Sequence, residues 1–214
     1  ETLLERVTEP LIAMAALAGA TIDEQQAATD DLLWTAWRWL LLNHPHDDMY
    51  GCGIDAVHEE MAYRFSQAEQ IGTFLSRDNL RALARHIDFS GQGGIPVLFV
   101  NILNWERQEI ATLDIDFDHD DPTADNFEMV TQDGYPVPHQ VVSDEQTFWM
   151  ETLKANRKRR VRVFVPVQVP ALGYTTLYVQ PKRHPRIAVE SWVVEAQAAE
   201  NRYLKLVIED DGGL

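Results

Sequence analysis

Ile87-Asp88-Phe89-Ser90-Gly91-Gln92-Gly93-Gly94-Ile95-Pro96-Val97-Leu98-Phe99-Val100-Asn101 is where the chain changes its period. Before it, apolar residues return every three or four positions, which is helical spacing. After it, Ile95 to Leu103 is continuously apolar and β-branched, the composition of a buried strand. Three glycines within Ser90–Gly94 make a poor place to continue a helix, because each carries a large backbone entropy cost. The chain therefore reads as α+β: a three-helix bundle over residues 1–90, then an antiparallel β-sandwich over residues 95–214.

Upstream, Leu3, Val7, Leu11, Met14 and Leu17 form one helical face, with Pro10 expected to kink or restart the helix and Gly19 to stop it. Asp23 with Gln26 has the spacing of a capping box for a second helix. Its inner face is Leu33, Trp37, Leu40 and Leu41, with Trp34 adjoining. Trp34, Trp37 and Trp39 could stack on sugars, but helical spacing favours core packing, with Trp39 turned away from Trp37. A third helix begins near Ile54 and carries Val57, Met61, Phe65, Ala68, Ile71 and Leu75, either continuous or broken near Gly72.

Between the second and third helices lies Asn43-His44-Pro45-His46-Asp47-Asp48-Met49-Tyr50-Gly51-Cys52-Gly53-Ile54-Asp55. Pro45 disfavours helix at His44, and Gly51 and Gly53 tolerate unusual backbone angles. Two imidazoles and three carboxylates in a turn held by apolar helices make either an acidic surface loop or a site. Zinc takes about four ligands from imidazole, thiolate and carboxylate. A partial site, one histidine with one or two carboxylates completed by another domain, demands less of this turn than a complete one.

Downstream, Ile110 to Phe117 alternates polar with apolar residues, a half-buried strand. Phe127–Val130, Gln140–Val142, Thr147–Leu153, Val161–Val169 and Tyr174–Val179 read as further short strands, and Ile187–Val194 and Tyr203–Ile208 as the opening of another β layer. Asp118-His119-Asp120-Asp121-Pro122 reads as a solvated acidic turn, lacking the glycine and terminal glutamate of a calcium loop. Arg157-Lys158-Arg159-Arg160 reads as a solvated turn entering a strand.

Composition limits the partners. A net charge of −16 over 214 residues repels phosphate backbones, so nucleic acid is not an expected partner. No apolar run approaches the roughly 20 residues of a membrane span, so no membrane partner is expected either. The lone Cys52 rules out an internal disulfide and suits a reducing, cytoplasmic location. The chain opens on Glu1 and stops at Glu209-Asp210-Asp211-Gly212-Gly213-Leu214, a hairpin turn without its second strand, which suggests a piece of something longer. Phosphate loops, Gly-x-Ser-x-Gly elbows and Cys-x-x-Cys pairs are absent from the sequence.

The run Asn43 to Cys52, continued by Ile54-Asp55-Ala56-Val57-His58-Glu59-Glu60-Met61 and Arg64-Phe65, resembles the His-Asp turn of the class II α-mannosidases, glycoside hydrolase family 38. Phe99-Val100-Asn101-Ile102-Leu103-Asn104-Trp105-Glu106-Arg107 is similar to the family's first sandwich strand. Val169-Pro170-Ala171-Leu172-Gly173-Tyr174 and Glu200-Asn201-Arg202-Tyr203 are similar to two later strand motifs, in the same order. The resemblance implies a retaining enzyme whose aspartate nucleophile and carboxylic acid/base lie on an N-terminal α/β catalytic domain. It also implies a zinc ion holding hydroxyls of an α-mannoside substrate, with a histidine and two aspartates from that domain and one histidine from the turn. Position by position, His46 matches that last ligand and Asp47 a substrate-contacting carboxylate. Eukaryotic members often read His-His-Asp-Ala-Ile-Thr-Gly-Thr, whereas here Pro45 replaces the first histidine and Asp48-Met49-Tyr50 replaces Ala-Ile-Thr. On this resemblance the chain is the middle bundle and first sandwich of such an enzyme, without a nucleophile and inactive alone. The competing readings are a standalone protein-interaction module and a carbohydrate-binding sandwich using Trp105 or Trp149.

Overall fold

In the computed structural model, residues 1–21, 23–90, 93–151, 154–183, 193–194, 197–200 and 203–209 are described. The architecture is α+β, helices first and antiparallel sheets after. The chain divides into two compact units. One is Glu1–Gly91 with Leu98–Arg107 and Gln168–Thr175; the other is Gln92–Val97, Gln108–Val167 and Thr176–Leu214.

The bundle has three long rods and one short turn of helix: α1 (Glu9–Leu17), α2 (Asp23–Leu41), α3 (His46–Tyr50) and α4 (Asp55–Arg85). A π-helical turn, Leu4–Thr8, leads into α1 without a break, with Thr8 and Glu9 in right-handed helical angles. Pro10 lies in the first turn of α1, directly after the π turn, so the change of winding falls beside the residue expected to kink or restart the helix. The wide turn does shift the buried stripe. Leu4, Thr8, Leu11, Ile12 and Ala15 face inward, whereas Leu17, expected inside, is 90% exposed. Gly19, at φ +67°, ends α1 with paired bonds from Gly19 N to Ala16 O (3.0 Å) and Ala20 N to Ala15 O (2.9 Å), a Schellman closure.

Gln26 spends its amide on Thr21 and Asp30 rather than on the start of α2, and the Asp23 side chain lies outside the described residues. Leu4, Ala36, Leu40 and Ala68 make the bundle core, with Leu33, Trp37, Trp39 and Ile71 packed against it. Leu41 and Trp34, placed on or beside the inner face by the sequence, are exposed. The third rod runs unbroken for 31 residues, about 46 Å at 1.5 Å per residue. Gly72 does not interrupt it; it is a contact point. A Cβ there would come within 2.7 Å of Leu4 Cδ2, so the absent side chain lets the first helix close onto α4.

The β half contains β1 (Ile95–Asn101), β2 (Arg107–Asp118), β3 (Phe127–Thr131), β4 (Pro136–Val137), β5 (Gln140–Glu151), β6 (Lys154–Val169) and β7 (Gly173–Pro181). They form two sheets, ordered β1-β7-β3-β4 and β2-β6-β5. Short strands β8 (Val193–Val194), β9 (Ala198–Glu200) and β10 (Lys205–Val207) form a third. Within the second unit, Phe117 of β2 meets Phe127 of β3 at 5.6 Å between ring centroids, so the first two sheets pack face to face. Val161, Val163, Val165, Val167 and Val169 alternate inward along β6.

Two expectations change here. Gln140–Val142 and Thr147–Glu151 lie on one strand, β5, with Thr152 and Leu153 outside the described residues, and Arg157–Arg160 is not a turn but part of β6, paired residue for residue with β5. Charge complementarity explains both. Arg162 grips Asp114 and Arg160 grips Asp116, each through two bonds, and Arg159 bonds both Asp144 and Asp125. Hydrogen bonds from Arg162 and Arg159 hold the Asp114 and Asp144 carboxyls below the usual aspartate range. Of the last predicted strands, most of Ile187–Val194 and the closing turn at residues 210–214 lie outside the described residues.

Candidate functional site

The His-Asp turn is built from both of its helices. Beyond Leu41 the chain tightens, with Asn43 N bonding Leu40 O and His44 N bonding Leu41 O. Pro45, at φ −52° and ψ 144°, is extended, as its ring and its effect on His44 require. One turn of helix, α3, then presents His46, Asp47, Asp48, Met49 and Tyr50, and Gly51 closes it at φ +73°. Gly51 N bonds Asp48 O and Cys52 N bonds Asp47 O, so the turn has its own closed backbone ladder.

At its tip the His46 side chain is 84% exposed and Asp47 70% exposed. His46 Nε2 lies 3.0 Å from Asp47 Oδ1, which orients the ring toward its neighbour and leaves Nδ1 without a recorded partner among the described residues. His44, Met49, Tyr50, Cys52 and Asp55 are exposed as well. His46 and Asp47 supply one nitrogen and one carboxylate donor. No cluster of three or more histidine, cysteine or carboxylate groups able to hold a metal occurs among the described residues. The donor chemistry fits zinc, and the donor number falls short of the usual four.

Below the tip, the turn is tied down. Asn43 is only 1% exposed, and its Nδ2 donates to Met61 O of α4 at 3.0 Å. Arg64, also on α4, donates to Asn43 Oδ1 and Leu42 O, both at 3.4 Å, while its other amine bonds Glu60 at 2.8 Å. His58 Nε2 meets Gly53 O at 3.1 Å on the outgoing side. Sequence reasoning passed over Asn43 and Arg64. The signal was there: Asn43 falls three and seven residues after the core positions Leu40 and Ala36, a polar residue on a buried stripe.

The tryptophans divide. Trp37 Nε1 donates to Glu9 at 2.7 Å, and Trp39 meets Tyr63 edge-on at 5.9 Å, so both pack within the bundle, whereas Trp34 and Trp105 are exposed. Trp149's side chain lies outside the described residues. In the acidic turn, Asp118 pairs with Lys158 and Asp121 Oδ1 accepts from Thr123 N, so both carboxylates are spent on structure.

Two of the other resemblance motifs, Phe99–Arg107 and Val169–Tyr174, meet in one buried knot, while Asn201 and Arg202 of the third lie outside the described residues. Asn101, 1% exposed, sends its Nδ2 toward Trp105 O (2.7 Å), Pro170 O (3.0 Å) and Val169 O (3.3 Å), and its Oδ1 accepts from Leu103 N (3.1 Å). Leu172 N bonds Leu103 O across the same junction. Residues 68 apart in sequence are thus joined by one side chain.

The chain matches no protein-family model. It is similar, at 22% identity and a TM-score of 0.76, to a solved protein in glycosyl hydrolase family 38 from Enterococcus faecalis, over 99% of this chain and 27% of that one. This chain has the fold of a family 38 segment. A solved alpha-mannosidase from Enterococcus faecalis V583 agrees, with a TM-score of 0.66, 22% identity and coverage of 99% and 26%. In sequence the chain is 34% identical over 88 residues to "Putative mannosylglycerate hydrolase" of Halalkalibacterium halodurans, a stretch that is 41% of this chain and 9% of that protein. The segment thus spans about a quarter of the length of the solved proteins it matches. No helix among the described residues of this family 38-like segment is long and apolar enough to cross a membrane.

Proposed function

We propose that this chain is the helical bundle (residues 1–90) and first β-sandwich (residues 95–214) of a retaining, zinc-dependent α-mannosidase of glycoside hydrolase family 38. The observation that carries the reading is the His46 ring, exposed beside Asp47 on a one-turn helix whose base is fixed, in a chain with the fold of family 38 proteins along its whole length. In this reading His46 gives one nitrogen to zinc, and Asp47 accepts hydrogen bonds from hydroxyls of the terminal α-mannoside. The remaining ligands, the nucleophile and the acid/base belong to an N-terminal catalytic domain of the same longer chain, which is the partner of this segment. Bound there, the metal orients the sugar hydroxyls and stabilises distortion of the ring. Asp47 also orients the His46 ring before the metal arrives, through the 3.0 Å contact. The mannosylglycerate hydrolase relative makes glycerate one candidate leaving group, and the lone exposed Cys52 favours a cytoplasmic setting.

The test uses the full-length protein. The expected result is about one zinc per chain, turnover of an aryl α-mannoside with retained anomeric configuration, and loss of both zinc and turnover in His46→Ala. The isolated 214-residue chain is expected to lose zinc on dialysis and to leave the mannoside intact. Stoichiometric zinc in full-length His46→Ala, or turnover by the isolated chain, overturns the reading.

A further inference from the structure

We infer that Asn43 is a positioning residue: seated against α4 by Met61 and Arg64, it fixes where the His46 ring stands. The inference rests on the proposed role of His46 and adds a device to it. Asn43 is a buried amide in the turn two residues past the end of α2, and its Nδ2 is bound to Met61 O at 3.0 Å. That carbonyl already belongs to the α4 ladder, so the bond uses its second lone pair and joins two helices at one point. Arg64 adds contacts to Asn43 Oδ1 and to Leu42 O, a carbonyl just past the end of α2 where helical partners run out.

Only His44 and Pro45 separate this clamp from His46, and both are conformationally restricted. Pro45 has a fixed φ, and His44 is confined to extended angles by the ring that follows it. Three residues of chain reach at most about 11 Å, so a displaced Asn43 moves His46 with little slack. On the far side, His58 holds Gly53 O. His58, Met61 and Arg64 recur at every third position of α4, so one face of one long helix sets both ends of the turn. A ligand offered to a metal from another domain needs such an anchor, because error in its position is paid in affinity.

The experiment compares Asn43→Ala, Arg64→Ala, Arg64→Lys and a control, Leu75→Ala, in the full-length protein. Leu75 is a buried α4 residue away from the turn. Amide exchange is read at His44, Met49, Gly51 and Cys52, whose N–H groups bond within the turn. Zinc affinity is read by competition with a chelator, and melting temperature is recorded for each. Asn43→Ala and Arg64→Ala are expected to speed exchange of those amides at least tenfold and to weaken zinc binding about 10- to 100-fold. Arg64→Lys is expected to recover part of both. Leu75→Ala is expected to lower the melting temperature at least as much and to change neither. Unchanged exchange in Asn43→Ala, or an equal effect of Leu75→Ala on zinc, overturns the inference. Loosened exchange in Asn43→Ala together with undiminished zinc in His46→Ala refutes the ligand role and leaves the clamp standing.

Discussion

Replacing Asn101 by aspartate changes one atom type and almost no volume, yet it should be among the most damaging single substitutions in the chain. The side-chain amide has two N–H hydrogens and three carbonyl oxygens within reach, those of Trp105, Pro170 and Val169. Its own oxygen serves Leu103 N. An aspartate keeps that last bond and loses both donors, and it sets a negative charge against three carbonyl dipoles in a buried place. Each net hydrogen bond lost costs about 1 kcal/mol, and the desolvated carbonyls left behind raise this further. A total of about 3 kcal/mol follows for Asn101→Asp. Asn101→Ala should cost a similar amount, losing the Leu103 bond as well but adding no charge. For a chain of this size, 3 kcal/mol lowers the melting temperature by roughly 6 to 12 °C. Urea unfolding of the chain, wild type against both variants, checks this. A loss under about 1 kcal/mol in Asn101→Asp would show that water or a local shift satisfies the carbonyls, and that the knot is not held as described.

Other outcomes follow from the same geometry. Gly94 has φ +104°, and a Cβ there would collide with the carbonyl oxygen of Val179 on β7, so Gly94→Ala should cost more than about 3 kcal/mol and sharply reduce soluble yield. Gly93→Ala, where a Cβ meets nothing within 4 Å, should be tolerated; equal yields of the two variants would contradict this. The Asp114 and Asp144 carboxyls are held low by hydrogen bonds from Arg162 and Arg159, so their contribution to stability is complete above the ordinary aspartate value of about 3.9 and is lost as pH falls through their lower folded values. Denaturation profiles from pH 7 to pH 2 should therefore fall less steeply in an Arg159→Met, Arg162→Met double variant than in wild type, and identical acid limbs would refute the ladder.

What the sequence could and could not reveal follows from the range of the interactions involved. The change of period at Ser90–Gly94 is local, and the helix-to-sheet order that it implies holds in the structure. The stripe of the first helix was misplaced because a π turn winds wider than the assumed 3.6-residue period, and nothing in Leu4-Glu5-Arg6-Val7-Thr8 announces it. The polar middle of β5 looked like a break between two strands because its justification lies elsewhere in the chain. Asp144 is bonded by Arg159 on β6, and the next rungs link β6 to Asp114 and Asp116 of β2. Charge complementarity between residues 15 to 48 apart in sequence leaves no trace in a local window.

The turn at His46 shows the reverse pattern, and the contrast bears on function. Asn43 and Asn101 are both asparagines within stretches whose sequence resembles family 38, and each is buried, Asn101 bonding backbone alone and Asn43 bonding Met61 O and the Arg64 guanidinium. Such residues hold a fold together whatever the protein does. His46 and Asp47 belong to the same set of motifs, but they stand in solvent, paired with each other and bonded to no core group. Their exposure contributes nothing to packing, and a bundle with alanine at both positions would fold with the same core. Side chains that the fold supports so firmly from beneath, and does not use, are the ones available for a ligand. That asymmetry, more than the likeness of the motifs, is the physical ground for proposing a structural part for Asn101 and a chemical one for His46.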